Sequence, residues 1–587
     1  MADPTNIELG GLVVDVEIKR GRNLVAKDRH LAVGRKTTSD PFVKVYGGKD
    51  YLGKTKVIDK NCNPVWNESF QLVLGADDAN YVLQKRGAVK MEFRIFDHDK
   101  HKDHDPMGTV KVPLNCFEPP KTAWYEVGQG KGKHYCDDAS GEVEIFMAVS
   151  ARKMLSLARG HNHMIKQSEI RVGLSWQVEN GQEIDLDTSC VAIDRRGLVQ
   201  MDHTVYYGNL ANTNLSIMHS GDERKGSDFG DDEVIVCDLD SIPNKIKALY
   251  FVLTVASPGK TFANVKSARV RILDSAHKVG ICSFVPYNFG AATAMFLVRL
   301  ARNRLREWIM SPIADTEQKA RDFGSLIPEL KAYTRDLIPD IVVDPRERVA
   351  VLRKGGHIHV HDYLPGAVIP KWVCFGLTWD VTEGVNIDLD ASAVCLGKDL
   401  RPLDIVFFKQ LRSKDNAIRH SGDEREGDKT GDDERIVISL PNVSTDIHYI
   451  GFIINSYSGQ ELDDIARASC RLYDPRAGVN IATYTLSNAS ELDKHTALIM
   501  GCLYRAPDTD QWGLRIISEP SHGKTAHDNV EGLQRYIHYH PPSEPSAPAN
   551  RGEVQNEMPD EVEPPAQEDI IIPATALLQE NLAVVDQ

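Results

Sequence analysis

The sequence contains no long hydrophobic run and no paired cysteine motif. None of its stretches approaches the ~18 apolar residues of a membrane-spanning helix, and its ten cysteines are scattered singly, with no C-x-x-C pair. The opening MADPTNIELGG carries acids where a secretory signal peptide carries bases. These absences predict a cytoplasmic protein with reduced thiols, which meets a membrane only from its surface.

A basic stripe interleaved with aromatic residues is also missing, and aromatics make up only 7% of the chain. The formal net charge is -15, and residues 541–587 contribute -9 of it through ten acids and one arginine. Nucleic acid is therefore not expected as a partner, because phosphate backbones require clustered cations. The eight prolines and the acid excess of this last segment predict disorder.

The most informative feature that is present is an acidic, glycine-rich segment that occurs twice. HSGDERKGSDFGDDE spans residues 219–233 and HSGDEREGDKTGDDE spans residues 420–434, with eleven of fifteen positions identical. A segment with many carboxylates and almost no apolar residues cannot form a core. Ca²⁺ takes six to eight oxygen ligands, and glycine allows the tight turns that aim them at one point. The repeated spacing therefore predicts calcium binding.

The surrounding sequence repeats as well. GLSW at residue 173 recurs as GLTW at residue 376, and IDLDTS at residue 184 recurs as IDLDAS at residue 387. Two homologous domains follow from this order. The apolar alternation around the motifs predicts that each domain is a β-sandwich whose acidic segments are connecting loops.

The first 152 residues read as a separate all-β unit. Eight short runs with strand character are separated by turn residues; they span residues 12–18, 42–46, 51–58, 68–74, 89–96, 109–114, 124–127 and 142–149. Residues 89–96 alternate apolar and charged side chains, which places one face inward. Eight such runs predict another β-sandwich.

The fold class predicted for the whole chain is all-β, with one connecting helix and a disordered acidic tail. Apolar residues recur at helical spacing between Asp315 and Pro339, which predicts an amphipathic helix that packs on one of the repeats. The predicted divisions are a sandwich at 1–152, the first repeat at 153–310, a helical linker at 311–345, the second repeat at 346–518 and a disordered tail at 519–587.

Five aspartates of the N-terminal unit stand in motifs that resemble the C2 domain. The motifs are SDPF at residue 39, NPVWNESF at residue 63 and FDHDKHKDHDPMG at residue 96. The resemblance implies a sandwich with two loops that meet at one tip and hold two or three Ca²⁺ ions. The ligands that it implies are Asp28, Asp40, Asp97, Asp99 and Asp105.

The first of these loops is longer than is usual in C2 domains, because Asp28 and Asp40 are twelve positions apart. The insertion carries basic residues with apolar residues between them, a segment called the basic rim below: Arg29, His30, Leu31, Val33, Arg35 and Lys36. Each lysine or arginine near an anionic membrane contributes about 1 kcal/mol to binding. The expected partner is therefore an anionic phospholipid membrane, bound reversibly and in a calcium-dependent manner.

The order GLSW or GLTW, then IDLD, then the glycine-acid segment resembles the TerD family of tellurite resistance and stress response. The resemblance covers both repeats and implies calcium-binding β-sandwiches. The implied ligands in the first repeat are Asp185, Asp187, Asp222, Asp231, Asp232 and Glu233. In the second repeat they are Asp380, Asp388, Asp390, Asp423, Asp432, Asp433 and Glu434.

The two repeats differ directly after the tryptophan, where family members commonly carry Asp. The second repeat keeps it as Asp380, whereas the first has Gln177. Because calcium affinity rises with ligand charge, the first repeat is expected to bind Ca²⁺ more weakly. For His219 and His420, hydrogen bonds that brace the loop are at least as good an interpretation as ligand recognition.

Catalysis finds little support. HIHVHD at residues 357–362 would place His357, His359 and His361 on one strand face, like a zinc site. No nucleophile, base or carboxylate pair accompanies it, and a solvated strand face is the favoured interpretation. The chain is therefore expected not to be an enzyme.

The predicted function is that of a calcium-responsive adaptor, with a membrane-binding C2 domain and repeats that bind further Ca²⁺ and an unidentified protein partner. The alternative is a cytosolic sensor of a nucleotide or a metal oxyanion in tellurite or chemical stress. A metal-dependent enzyme ranks third.

Overall fold

The structure is a computed structural model of the 587-residue chain. It describes residues 9–29, 36–85, 89–99, 104–115, 118–178, 184–221, 231–257, 259–286, 290–364, 370–381, 389–422, 432–457, 459, 461–462, 465–486, 492–506, 511–542 and 571–573. Strands dominate this part of the chain, and they form three sandwiches in sequence order.

The N-terminal sandwich confirms the eight predicted strands. Its strands are β1 (Leu9–Arg22), β2 (Asp28–Arg29), β3 (Lys36–Thr38), β4 (Pro41–Gly47), β5 (Asp50–Lys54), β6 (Val65–Leu74), β7 (Lys90–Asp97), β8 (Asp105–Pro113), β9 (Lys121–Glu126) and β10 (Glu142–Lys153). One sheet joins β9, β10, β1 and β6, and the other has the order β5-β4-β7-β8. In β10 the buried and half-buried side chains alternate, because one face packs on the core and the other meets water.

The first repeat is a second sandwich. It consists of β11 (Leu155–Leu157), β12 (His163–Ile165), β13 (Glu169–Val178), β14 (Leu186–Asp194), β15 (Ile217–His219), β16 (Glu233–Asp238), β17 (Ile246–Val255), β18 (Val265–Asp274), β19 (Gly280–Phe284), β20 (Ala294–Arg302) and β21 (Trp308–Glu317). The sheet orders are β11-β19-β18-β13-β16-β15 and β12-β21-β20-β17-β14. The buried motif residue Trp176 lies in the core between them.

The second repeat has the same plan. Its strands are β22 (Ala350–Val351), β23 (His357–His359), β24 (Trp372–Val381), β25 (Leu389–Leu396), β26 (Pro402–Val406), β27 (Ile418–His420), β28 (Glu434–Ser439), β29 (Tyr449–Ser456), β30 (Ile465–Asp474), β31 (Val479–Leu486), β32 (Ala497–Arg505) and β33 (Trp512–Ser521). The sheets run β22-β31-β30-β24-β28-β27 and β23-β33-β32-β29-β25-β26. A last strand, β34 (Ile571–Pro573), pairs antiparallel with the end of β10.

Three α-helices accompany these sheets in the described part of the chain: α1 (Ala76–Gln84), α2 (Ile327–Ala332) and α3 (Val530–Tyr539). The long helix predicted between Asp315 and Pro339 is wrong in extent. Strand β21 continues to Glu317, and a short 3₁₀ turn precedes α2. The predicted linker at 311–345 therefore begins with the last strand of the first repeat, and the apolar spacing continues through a turn rather than one helix.

The predicted start of a disordered tail at residue 519 is also wrong. Strand β33 continues to Ser521 and α3 follows it, with Leu533 and Ile537 buried against the second repeat. Helix α2 packs in the same way on the first repeat, through Leu330 and its neighbours. Each repeat thus ends in a helix that covers the outer face of one sheet, which explains why β17 is buried almost throughout. Residues 543–570 and 574–587 lie outside the described residues.

The nine cysteines in the described ranges form no disulfide, and most are buried. Within the same ranges, no helix is long and apolar enough to cross a membrane.

Candidate calcium sites

The C2-like sandwich brings its aspartates together at the ends of two neighbouring strands. Asp40 immediately precedes β4, and its backbone N–H donates to Oδ1 of Asp97 at 2.5 Å. Asp97 ends β7 and lies opposite Asp105, the first residue of β8. These three carboxylates therefore share one tip of the sandwich, as the resemblance implied.

Asp28 and Asp99 belong to the same neighbourhood. Burial, together with the negative charges of Asp28, Asp40 and Asp99, raises the pKa of Asp97 to about 6. The described side chains form no ready group of three metal ligands at bonding distance. The tip therefore has a high density of negative charge, although its described carboxylates do not surround a single point. Its donor atoms are all oxygens, which suits a hard cation such as Ca²⁺.

The lengthened first loop is built as a hairpin. Asp28 pairs with Thr38 and Arg29 pairs with Lys36 across strands β2 and β3. His30, Leu31, Val33 and Arg35, which form most of the predicted basic rim, lie outside the described residues. The pairing of Asp28 with Thr38 keeps Asp28 near the other carboxylates despite the insertion.

The first aspartate of each GDDE sequence contacts an arginine. Oδ1 of Asp231 accepts from Nε of Arg271 at 2.6 Å, and Oδ1 of Asp432 accepts from Nε of Arg471 at 2.7 Å. Arg271 also binds Asp77 of helix α1 at 2.7 Å. These carboxylates were predicted as metal ligands, but the structure pairs each of them with a cation of the protein itself.

The same carboxylates explain the glycine of GLSW and GLTW. A Cβ atom at Gly376 would lie 2.5 Å from Oδ2 of Asp432, and one at Gly173 would lie 2.1 Å from Oδ2 of Asp231. In both repeats the aspartate carboxylate therefore packs directly against the backbone of the motif glycine, where a side chain would clash with it. The motif glycine is required by this contact rather than by an unusual backbone angle.

We expect Gly376→Ala to destabilise the second repeat by about 1 to 3 kcal/mol, because the added methyl group overpacks against an anchored carboxylate. Differential scanning calorimetry of the full chain measures the change. Gly128→Ala is the matched control, since its Cβ would meet its nearest neighbour, the Thr109 carbonyl, at 3.6 Å. Equal transition temperatures for the two variants would contradict this explanation.

The other two acids of GDDE organise the loop and the neighbouring strands. Oδ2 of Asp232 accepts from the backbone N–H of Trp176 at 2.8 Å, and Oδ2 of Asp433 accepts from that of Trp379 at 3.0 Å. Glu233 accepts from the backbone N–H of Thr188 at 2.9 Å. The second aspartate thus connects the acidic loop to the GLSW or GLTW strand, and the glutamate connects it to the IDLD strand.

The repeated histidines brace the same buried contact. Nε2 of His219 lies 3.6 Å from Oε2 of Glu233, and Nε2 of His420 lies 3.6 Å from Oε2 of Glu434. Burial lowers the pKa of His420, but the hydrogen bond and charge of Glu434 outweigh it and leave the pKa raised. The loop-bracing interpretation of the histidines therefore agrees with their contacts.

The IDLD carboxylates of the first repeat bind an arginine from the second repeat. One guanidinium nitrogen of Arg353 donates to Asp185 and another donates to Asp187. The guanidinium also lies 4.6 Å from the centre of the Tyr207 ring. Sequence reasoning missed this residue, although Arg353 stands where the first repeat has Ala158 in the corresponding LARG sequence. Arg353 thus binds Oδ2 of each of these two carboxylates.

Several other predicted ligands lie beyond what the structure describes. Asp222, Asp388 and Asp423 fall outside the described residues, and Asp380 is placed in β24 without a described side chain. Asp390 lies on β25 and is buried at 4% exposure. The ligand set of the second repeat therefore stays a prediction. Gln177, the residue that distinguishes the first repeat, contacts Ser267 at 3.4 Å.

The histidine trio does not form the strand face that a zinc site would need. His357 and His359 lie on β23, but the chain turns into a 3₁₀ helix at Val360. His361 pairs with the adjacent Asp362 at 3.0 Å. Among the described residues no cluster suited to a metal ion includes these histidines.

Comparison with known proteins agrees with this architecture. The TerD domain model matches residues 154–320 and 349–527, which together exceed half of the chain, and the C2 domain model matches residues 12–127. A solved homologue of telluride resistance protein from Streptomyces coelicolor A3(2) covers 28% of this chain and 98% of its own, at 19% identity and a TM-score of 0.24.

Three relatives illustrate the two parts. Tellurium resistance protein TerZ of Serratia marcescens is 32% identical over 165 residues, which are 26% of this chain and 82% of that protein. General stress protein 16U of Bacillus subtilis is 30% identical over 194 residues, 31% of this chain and 97% of that protein. Protein C2-DOMAIN ABA-RELATED 8 of Arabidopsis thaliana is 34% identical over 102 residues, 17% of this chain and 51% of that protein. The predicted resemblances are confirmed, and the chain belongs to the TerD domain family, with two TerD domains in tandem behind an N-terminal C2 domain.

Proposed function

We propose that the protein is a cytoplasmic, calcium-binding stress-response protein that docks reversibly on anionic membranes through its C2 domain. The observation that carries this proposal is the convergence of Asp28, Asp40, Asp97 and Asp99 on one tip. Unit charges ~4 Å apart repel by about 4 kcal/mol at an effective dielectric of ~20, so crowded carboxylates favour the uptake of cations. Ca²⁺ supplies the charge and accepts the oxygen ligands.

The membrane is proposed as the partner because the sequence of the lengthened loop supplies cationic and apolar residues. Arg29 and Lys36 flank the tip hairpin, and the sequence between them adds Leu31, Val33 and Arg35. Cations of this kind strengthen binding to anionic lipid, and the apolar side chains suit the headgroup boundary. Calcium at the aspartates would remove the negative charge that otherwise repels such a surface.

We assign different roles to the two TerD domains. In the first, Arg353 already neutralises part of the charge of Asp185 and Asp187, so this domain acts as a joint between the repeats. The second is the one we propose to bind Ca²⁺ and to present a surface for a protein partner. The names of the relatives, tellurium resistance and general stress proteins, support a role in chemical stress. Binding rather than catalysis is the proposed activity.

We expect the full chain to sediment with phosphatidylserine-containing vesicles in Ca²⁺ and to remain in solution with EGTA. In the variant Asp40→Asn with Asp97→Asn, sedimentation in Ca²⁺ falls to the level seen in EGTA, because two central carboxylates lose their charge. Vesicle co-sedimentation over a calcium titration is the measurement.

The matched control is Asp50→Asn with Asp78→Asn, which removes the same charge from exposed positions of this domain. This control keeps calcium-dependent sedimentation. The proposal would be overturned if binding to phosphatidylserine were the same in EGTA as in Ca²⁺, or if it persisted in the variant at Asp40 and Asp97. Either result would favour the alternative of a cytosolic nucleotide or oxyanion sensor.

A further inference from the structure

A cavity of about 340 Å³ opens at one edge of the first TerD domain and is lined mainly by cations. It lies where the start of β17 meets the hairpin between β20 and β21 and the segment that follows α2. Arg195, Lys247, Arg302, Arg304 and Arg306 contribute to its wall. Five positive side chains around one small cavity repel one another unless an anion is present.

Two of the five cations are fixed by the fold. The Arg302 guanidinium donates to the Ile242 carbonyl at 2.8 Å and stacks on Trp308 at 4.6 Å. Nζ of Lys247 donates to the Arg302 carbonyl at 2.5 Å. Burial lowers the pKa of both groups, and the charge of Arg195 lowers both further. Neither fixed group therefore relieves the positive potential of the cavity.

The acidic side chains near the cavity already bind other residues. Asp336 forms a bidentate ion pair with Arg299, at 2.7 and 2.8 Å. Glu307 accepts from the Asn303 side chain at 2.8 Å. Within the described ranges, no carboxylate forms an ion pair with the exposed cations of the cavity, namely Arg195, Arg304 and Arg306. Three guanidinium groups thus remain available to an external anion.

The second TerD domain shows that the fold does not require these charges. Arg505 takes the place of Arg302, with the same stacking on a tryptophan and a corresponding guanidinium bond to the Val443 carbonyl at 3.2 Å. Lys247 corresponds to His448, and the hairpin tip RLR at residues 304–306 corresponds to the acidic PDTD at residues 507–510. The structural arginine is thus shared by both domains, whereas the remaining arginines of the hairpin belong to the first domain alone.

The hairpin tip also presents an apolar side chain to solvent. Leu305 lies between Arg304 and Arg306 and is 78% exposed. An apolar side chain flanked by cations suits the boundary between lipid headgroups and acyl chains. Guanidinium groups bind phosphate oxygens in bidentate fashion, and the cavity volume matches a small polar ligand.

We propose that this cavity binds a multiply phosphorylated inositol headgroup, and that Leu305 favours the membrane lipid over the free inositol phosphate as its source. Because Asp28, Asp40, Asp97, Asp99 and Asp105 are absent from this site, the contact is independent of calcium. It gives the protein a second membrane contact, outside the C2 domain.

The test uses the full chain in EGTA, so that calcium-dependent docking is silent. The vesicles contain phosphatidylcholine with phosphatidylinositol bisphosphate, or with phosphatidylserine matched for total charge. We expect selective binding to the phosphoinositide vesicles. The variant Arg195→Gln, Arg304→Gln, Arg306→Gln weakens it on the order of 100-fold, from about 1 kcal/mol for each lost cation. The control Arg412→Gln, Arg419→Gln, Arg535→Gln removes three exposed arginines elsewhere and keeps the affinity.

Leu305→Ser separates the two sources of the ligand. If the lipid is bound, this variant loses affinity for vesicles but keeps its affinity for soluble inositol trisphosphate, measured by calorimetry. Equal vesicle binding by Leu305→Ser and the unmodified chain would overturn the lipid assignment. No selective binding in EGTA, or binding that the triple variant retains, would overturn the site itself, whereas calcium-dependent phosphatidylserine binding would be unaffected by either result.

Discussion

We expect Arg353→Gln to lower the stability of the first TerD domain by about 3 kcal/mol in EGTA, the lower end of the cost of removing one partner from a buried ion pair, because Arg353 is 24% exposed. Asp187 is 3% exposed, and both it and Asp185 would lose their cation. The contact with the Tyr207 ring would be lost as well. Calorimetric unfolding of the full chain measures the loss as an earlier transition.

Calcium should reduce this loss. With the guanidinium gone, Asp185 and Asp187 lose this cation, and two neighbouring carboxylates are the donor chemistry that Ca²⁺ takes. A ligand that binds only the folded state stabilises it by mass action. The difference in transition temperature between Arg353→Gln and the unmodified chain is therefore expected to shrink when Ca²⁺ replaces EGTA.

The neighbouring Lys354→Gln is the matched control. Lys354 is exposed and pairs with exposed Glu519 at 3.4 Å, so its loss should cost less than about 1 kcal/mol. An equal deficit of Arg353→Gln in Ca²⁺ and in EGTA would show that the first domain cannot accept the ion. A deficit no larger than that of Lys354→Gln would show that the buried ion pair contributes little to stability.

The sandwiches were predictable because their sequence patterns are local. The alternation of apolar and polar residues in β7 and the order of the repeated motifs can both be read from continuous stretches of sequence. Of the two helices that close the TerD domains, α2 lies within the range predicted as helical, whereas α3 was not predicted. Helix α3 buries only Leu533 and Ile537, a spacing of four residues that is too sparse to signal a helix next to a proline-rich segment.

The candidate site was predicted in part. Within the described residues the C2 aspartates lie at one tip, whereas several TerD motif acids bind protein cations, and their role as metal ligands stays a prediction. Arg271 and Arg353 stand in no motif. Arg271 binds Asp231 within the first repeat and Asp77 across the boundary to the C2 domain, and Arg353 binds its partners across the boundary between the repeats. Their roles depend on long-range contacts, which residue spacing does not encode. The sequence offered two signals of these ion pairs. Arg353 stands where the first repeat has Ala158, and the charge balance of the acidic segment is negative.

The structure thus gives the repeated glycine-acid segment more than one role. Its first aspartate pairs with an arginine on a neighbouring strand, and its second aspartate and its glutamate connect the loop to two strands. In the first repeat, Arg271 extends this network to Asp77 of the C2 domain. A segment that resembles a metal loop therefore also joins domains.

We expect Arg271→Met to destabilise the first TerD domain by about 3 to 5 kcal/mol, because Asp231 would remain buried without its cation. The Arg271 side chain is 1% exposed and the Asp231 side chain is 6% exposed. Burial already raises the pKa of Asp231, and Arg271 opposes that rise. Calorimetry of the full chain should therefore show the transition of this domain at a lower temperature.

The second repeat supplies the matched control for Arg271. Arg471 makes the equivalent contact with Asp432, but its side chain is 40% exposed. Asp432 is itself only 3% exposed, but solvent reaches the Arg471 guanidinium and water can take its place beside the carboxylate, so Arg471→Met should cost less than Arg271→Met. Similar losses for the two variants would contradict burial as the source of the difference.

Asp77→Asn isolates the part of the effect that belongs to the contact between domains. Asp77 is 53% exposed at its side chain, and its replacement leaves the bond between Arg271 and Asp231 in place. We expect a loss below about 1 kcal/mol. The backbone bond from Ala76 to the Lys278 carbonyl, at 2.9 Å, still connects the C2 domain to the first repeat. If Asp77→Asn matched Arg271→Met, the stability would come from the domain contact rather than from the buried carboxylate.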